Sequence, residues 1–199
     1  MPRRSQQDRS RATRAALVAT ARRLFAERGY QQVPAAEIVA AAGVTRGALY
    51  HHFAGKQELF RAVLEELEGE VTAEIAAAIA AAPDRPTGMV VGLGRFLDVC
   101  QRPEVARIAL TDAPAVLGRR TWRAIEARHG LGVITDALQA AARDGLLVPV
   151  AVPVLAQLVL GAMIEAALLI AHAADPTAAR ADAEQALLAL LSGTVRQPP

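Results

Sequence analysis

Between positions 45 and 56 the chain places Thr45, Arg46, Gly47, Tyr50, His51, His52 and Lys56, a set whose chemistry suits a polyanion better than a substrate. An arginine fork matches O6 and N7 of guanine, and in their absence it matches a phosphate. Gly47 and Ala48 are small enough to let a helix come close to base edges. Thr45, Tyr50 and His52 are donors of the kind that hold phosphate oxygens. Lys56 adds positive charge near a helix N-terminus, where the backbone dipole already favours an anion. Arg46 and His51 are the side chains expected to select sequence, and the others to position the protein. For Tyr50, packing against the first helix is an alternative that the sequence leaves open.

Catalytic and metal chemistry find little support. His51 and His52 are adjacent, so on a helix they diverge by about 100° and cannot chelate one ion together. Cys100 is the only cysteine, which excludes an internal disulfide and a thiolate zinc site, and no base lies near it in sequence. There is no Gly-rich phosphate loop, and Glu65 and Glu66 read as a solvated helix face. No enzymatic activity, cofactor or metal is expected.

The elements that position the 45–56 set follow from apolar spacing. Leu17, Val18, Ala21, Leu24 and Phe25 recur as one face of a helix over residues 10–28. A second helix starts at Pro34, taken as its first helical residue, and runs to about Ala42. Gly43 permits a tight turn, Thr45 can cap a third helix, and Leu49 and Phe53 give that helix its inward face. Ile38, Ala42, Val44 and Leu49 then lie on facing sides of a helix-turn-helix, whose second helix presents its outer face to a DNA major groove. A long fourth helix carries Leu59, Phe60, Val63, Leu64, Leu67, Val71, Ile75 and Ile79. Five further helices are expected near residues 87–101, 103–111, 119–145, 152–173 and 176–195, divided by Pro or Gly. The fold class is therefore all-α, with about nine helices and no strand signal. Residues 1–53 are expected to form the helix-turn-helix domain and residues 54–199 a second helical domain.

The run AAGVTRGALYHHFAGKQELF resembles the signature of the TetR/AcrR family of bacterial transcriptional regulators, and LVATARRLFAERGY resembles that family's first helix. The resemblance covers about the first 65 residues. It implies a nine-helix homodimer that binds a palindromic operator on double-stranded DNA and releases it when the C-terminal domain takes up a small-molecule effector. It also carries the DNA-contact roles onto Thr45, Arg46, Gly47, Tyr50, His51, His52 and Lys56. Two departures stand out. The family usually opens helix two with Thr or Ser, where this chain has Val33 and Pro34, so a phosphate contact is lost. Val39 replaces a more usual Ala.

Charge and composition agree with this reading. Residues 1–61 hold 11 basic and 4 acidic side chains, while residues 62–199 hold 11 and 16, so the basic third is the one suited to a phosphate backbone. Alanine supplies 45 of the 199 residues, which favours helix throughout. The basic, polar first residues lack a secretory apolar run, and a reducing cytoplasm is the expected location. Residues 145–164 carry no formal charge, but Pro149, Pro153 and Gln157 interrupt them and Glu165 follows, so a buried or interface helix is expected and not a membrane span.

Two apolar helices near the C-terminus are expected to form the dimer surface. The first offers Leu155, Leu158, Val159, Ala162 and Ala166, with Val154 and Leu169 on the same stripe, and the second offers Leu187 and Leu191, with Leu188 and Leu190 beside them. Phe96, Leu97, Cys100, Ile108, Trp122, Ile125, His129 and Met163 are the expected lining of an effector pocket, with ordinary core packing as the alternative for each. The lack of clustered internal charge points to an apolar or weakly polar effector, with Glu165 as the one carboxylate placed to answer a cation. A ligand-blind regulator or an activator would leave the same helix pattern. A carrier with a vestigial helix-turn-helix would differ in binding no DNA.

Overall fold

The computed structural model describes residues 6–196, and every structural statement below concerns those residues. Helices α1 Gln6–Arg28, α2 Ala35–Ala41 and α3 Arg46–His52 are followed by α4 Lys56–Ala80 and α5 Arg85–Cys100. Helix α6 is composite: it opens at Pro103–Val105, passes through a π-helical turn at Ala106–Asp112 and closes at Ala113–Leu117. Helices α7 Arg119–Arg143, α8 Val152–Ala171 and α9 Pro176–Ser192 complete nine among the described residues. No strand occurs among them. A single antiparallel bridge between Leu147 and Val195 fastens the end of α9 to the loop before α8, with the Val148 N–H on Thr194 O at 3.0 Å and the Arg196 N–H on Leu146 O at 2.8 Å.

Local signals explain where the helices begin and end. Helix α1 buries Leu17, Val18, Ala21, Leu24 and Phe25, the residues that its apolar spacing selects. Pro34 stands at the N-cap of α2 and not inside its first turn, in extended backbone and with no side chain to cap; the Glu37 N–H bonds to its carbonyl at 3.1 Å instead. Gly43 takes φ 65°, a left-handed conformation that glycine adopts without strain, and so makes the α2–α3 turn. Helix α5 starts at Arg85, two residues before the expected position, because the Asp84 carboxylate accepts the Thr87 N–H at 2.8 Å. Asp175 caps α9 in the same way.

One core runs from Leu17 in α1 to Ala167 in α8 and crosses the expected division at residue 53 without a break. Helix α4 is the shared member. Its Phe60 ring packs edge-on against Phe25 and Tyr30, with centroids 5.3 and 5.1 Å away. Helix α5 lies very close to α4 at Gly92, where an added Cβ would stand 2.7 Å from the Ile79 side chain. A second cluster gathers Leu93, Leu97, Ala166, Ile170, Ala183 and Leu187 between α5, α8 and α9. A third joins Leu138, Ala141, Leu147 and Ala156.

These clusters correct part of the expected dimer surface. Ala166 and Leu187 are buried inside their own chain, because α9 folds onto α8 and uses up that side of both helices. Leu155 and Val159 are half-buried against the third cluster, and Ala162 and Leu191 against the second. Leu158 is 67 % exposed, and the outward stripe of α8 is Val154, Leu158 and Leu169, with Leu190 on α9. Helix α8 is long and apolar enough to cross a membrane by composition, with its remaining faces packed on the core.

Candidate functional site

Helix α3 is short, and two anchors hold it. Leu49 and Phe53 are buried, and the Thr45 hydroxyl accepts the Ala48 N–H at 3.2 Å to close its first turn. The opposite side is free: Thr45, Arg46, Gly47, Tyr50 and His51 are all exposed. Tyr50 is 51 % exposed and points away from α1, so of its two readings the packed one does not hold. Its ring carries the Arg46 guanidinium, 5.6 Å from the centroid, which holds the arginine fork over the face. The His51 and His52 rings meet edge to face at 5.0 Å. His52 is half-buried, and burial, with His51 and Arg14 nearby, holds its pKa below the ordinary histidine value. A neutral His52 then keeps one N–H for a phosphate oxygen.

Lys56 takes a different posture from the one expected. Its Nζ donates to Tyr30 O at 2.9 Å and Val33 O at 3.1 Å and lies 3.8 Å from the centre of the Tyr30 ring. Burial lowers its pKa, against the pull of the Asp112 charge. The ammonium thus ties the start of α4 to the α1–α2 connection, and Val33 beside it is fully buried.

Three further links join this helix-turn-helix unit to α6. Arg22 grips Glu104 with both arms, Nε to Oε1 at 2.7 Å and Nη2 to Oε2 at 3.0 Å, while its Nη1 reaches Glu70 on α4 at 2.7 Å. Those carboxylates raise the arginine's pKa against the effect of burial. The Tyr30 N–H donates to Asp112 Oδ2 at 2.7 Å, at the end of the π turn. Gln57 donates to Val116 O at 2.8 Å. The sequence reading missed these residues, since their partners lie 59 to 82 positions away.

Behind α6 the helices enclose a cavity of about 60 Å³, lined by Phe96 and Met163 as expected, and also by Val71, Ile75, Val133, Leu160, Glu68 and Glu126. A neighbouring void of about 80 Å³ shares Ile75, Val133, Ile134 and Met163 with it and reaches Leu191. From there an apolar groove of about 210 Å³ opens past Met89, Val90 and Leu188. The other expected lining residues lie elsewhere. Leu97, Cys100, Ile108, Trp122 and Ile125 are packed in the core clusters. His129 is half-buried at the side of α7, its Nε2 2.9 Å from Glu65 Oε2.

Glu165 is exposed, which corrects its expected role; α8 turns it outward beside the Val154–Leu158 stripe. The carboxylates that meet the cavity are Glu68 on α4 and Glu126 on α7. Burial pushes Glu126 up to about 7, with Trp122, Arg123 and Glu68 pulling the other way. Glu68 is pushed higher still, by burial and then by the Glu126 charge. Burial and the same two carboxylates push the Cys100 thiol up, which leaves it unreactive near neutral pH. The Trp122 indole N–H, one turn before Glu126, is buried without a hydrogen-bond acceptor. A faint sequence signal existed: each carboxylate adjoins a buried stripe, Leu67 beside Glu68 and Ile125 beside Glu126.

Comparison with known proteins places both halves. Residues 17–63 match the family described as bacterial regulatory proteins, tetR family. Residues 86–194 match the tetracyclin repressor-like C-terminal domain. A solved TetR-family transcriptional regulator from Pectobacterium atrosepticum is 35 % identical, with a TM-score of 0.87 over 98 % of this chain and 100 % of that one. Among curated proteins, the regulator TtgR of Pseudomonas putida is 43 % identical over 67 residues, which is 34 % of this chain and 31 % of TtgR. The TetC protein of transposon Tn10 from Escherichia coli is 46 % identical over 61 residues, 31 % of each chain. These matches span about a third of the curated relatives' length.

Proposed function

Because the chain belongs to the TetR family of bacterial transcriptional regulators, we propose that it is an effector-responsive repressor that binds a palindromic operator as a homodimer. The observation that carries this reading is the outer face of α3, where Thr45, Arg46, Gly47, Tyr50 and His51 stand exposed on a helix anchored by Leu49 and Phe53. Arg46 reads a guanine edge, His51 assists it, and Thr45, Tyr50 and His52 hold phosphates, while Gly47 lets the helix sit close to the bases. Lys56 contributes by bracing α4, with its field as a secondary effect on DNA. Residues 1–53 read the operator, and residues 54–199 bind effector and partner subunit in the cytoplasm, where the DNA is.

The homodimer is supported by the exposed stripe Val154, Leu158, Leu169 and Leu190, which is too apolar to face water alone. Two copies of α8 and α9 would form a four-helix bundle and set the reading helices one turn of DNA apart, or a multiple of it. The cavity between α4, α5, α7 and α8 is the effector site. Its occupation displaces α4 and α6, and the Arg22–Glu104, Tyr30–Asp112 and Gln57–Val116 links pass that displacement to α1 and the start of α4.

Fluorescence anisotropy on duplexes tiled across the DNA upstream of the reading frame tests the assignment. Salt-dependent binding to one palindromic tile is expected, and Arg46→Ala is expected to weaken it by about 1–3 kcal/mol and blur its sequence preference. Equal, weak binding on every tile and by the variant would favour a carrier with an idle helix-turn-helix. Leu158→Glu with Leu169→Glu is expected to give a 21 kDa monomer by light scattering and to lose operator binding. A dimer that survives both changes would refute the proposed interface.

A further inference from the structure

The inner end of the cavity holds two acidic side chains and no base. Glu126 is only 7 % exposed, and Glu68 meets it from α4 across the same void. Neighbouring carboxylates on these helices are all neutralised: Glu65 by Arg128 and His129, Glu70 by Arg22, Glu74 by Arg102. Among the described residues no cation lies within ion-pairing distance of Glu68 or Glu126. Arg123 acts on Glu126 only through its field, from an exposed position. The other groups facing the pair are the neutral Cys100 thiol of α5 and the Trp122 indole of α7, whose N–H has no partner.

An unpaired charge in such a place is costly, and evolution could fill the same volume with leucine at no such cost. Two adjacent acids also cannot both ionise there, so the pair holds a proton at neutral pH. The rest of the wall is apolar, with Ile75, Leu160 and Met163 and one aromatic ring, Phe96, which favours a cation over its face. No three His, Cys, Asp or Glu side chains come together among the described residues as a metal ion would require. The space continues instead into the apolar void ending at Leu191, which suits a hydrocarbon body.

We infer that the effector is a hydrophobic monocation, an alkyl amine or quaternary ammonium, whose head is received by Glu68 and Glu126 and whose apolar body runs past Met163 towards Leu191. This rests on the reading of the chain as an effector-responsive regulator. The proton balance follows: the pair gives up its shared proton to solvent as the cation enters, and the net charge of the site becomes more negative by one. Binding therefore tightens as pH rises through neutrality, the range in which the free pair holds that proton.

The full-length protein is titrated with octyltrimethylammonium, a cation at every pH, and with 1-octanol and octanoate as neutral and anionic counterparts. Trp122, the only tryptophan, reports binding from beside Glu126. Release of operator DNA is followed in parallel. The ammonium is expected to bind most tightly of the three and to gain affinity from about pH 6 to about pH 8, the interval that spans a carboxyl raised to near 7. Calorimetry in buffers of different ionisation enthalpy is expected to record the released proton. Glu68→Gln with Glu126→Gln, which keeps the shape of both side chains, is expected to lower ammonium affinity by about 30-fold and to leave octanol binding unchanged. Undiminished affinity in that variant, or tighter binding of octanol or octanoate that releases the DNA, would overturn the cation and leave the effector reading intact. Ammonium binding without DNA release would fell the regulatory reading and keep the site. Failure of all three probes to bind would overturn both.

Discussion

At Lys56 two demands compete for one ammonium. The N-terminus of α4 favours an anion there, yet Nζ is spent on the carbonyls of Tyr30 and Val33 and on the Tyr30 ring. Lys56→Met is accordingly expected to cost stability, by about 1–2 kcal/mol for the two lost bonds, measured by denaturant unfolding. The slope of log affinity against log salt should stay as it was, whereas loss of a phosphate contact would reduce it by about one. Residue-level reading of the sequence was sound wherever neighbours in sequence decide the outcome. The exposed face of α3 follows from Leu49 and Phe53 four residues apart, and the Thr45 cap from the hydroxyl before Arg46. It failed where a distant helix decides. Glu68 and Glu126 border apolar stripes and look like the edges of solvated faces; only the approach of α7 to α4 encloses them. Glu165 looked enclosed because apolar residues flank it on both sides, but α8 has more apolar surface than the core of one chain can cover.

Among the elements, α6 is the one whose internal geometry matters most for communication. Asp112 sits at the end of its π turn and accepts the Tyr30 N–H, while Glu104 at its start holds Arg22. Asp112→Ala is expected to shrink the factor by which effector lowers operator affinity, a coupling loss of about 0.5–2 kcal/mol, with DNA binding in the absence of effector less affected. Anisotropy titrations at saturating and zero effector give both numbers. The α4–α5 contact provides a simpler test of packing. Gly92→Ala sets a methyl 2.7 Å from the Ile79 side chain. Ile79 is β-branched and stiff in a helix, so a destabilisation of about 1–3 kcal/mol is expected. Adding Ile79→Ala should restore part of it. Helix number and order were legible from periodicity and from Pro and Gly punctuation. The pairing of α8 with α9 was not, since two helices apolar on several sides do not reveal which stripe faces the partner helix and which faces outward.

For the whole molecule, the buried acids tie stability to pH. Both carboxyls have folded pKa values above the ordinary 4.5, Glu126 at about 7. Between those values the folded chain binds more protons than the unfolded one, so stability falls as pH rises through the interval and levels off above it. Glu68→Gln with Glu126→Gln removes this dependence. The variant is expected to melt higher than the parent at about pH 8 and close to it at about pH 5. A parallel fall in both proteins would assign the pH dependence to other groups. The same carboxylates that weaken the free protein would gain a counter-charge when a cation enters, so effector binding and thermal protection should rise together with pH.

The π turn at Ala106–Asp112 carries a consequence for how chain length can vary. A π turn holds one residue more than the α-helical turn it replaces. Deleting a single residue there, Thr111 for instance, would restore a regular helix and rotate everything beyond it by about 100°. Asp112 would swing away from the Tyr30 N–H, and Val116 from Gln57. The segment from Pro103 to Leu117 is therefore as constrained in its residue count as in its residue types. A chain shortened by one position there should still fold and bind operator, yet answer its effector poorly.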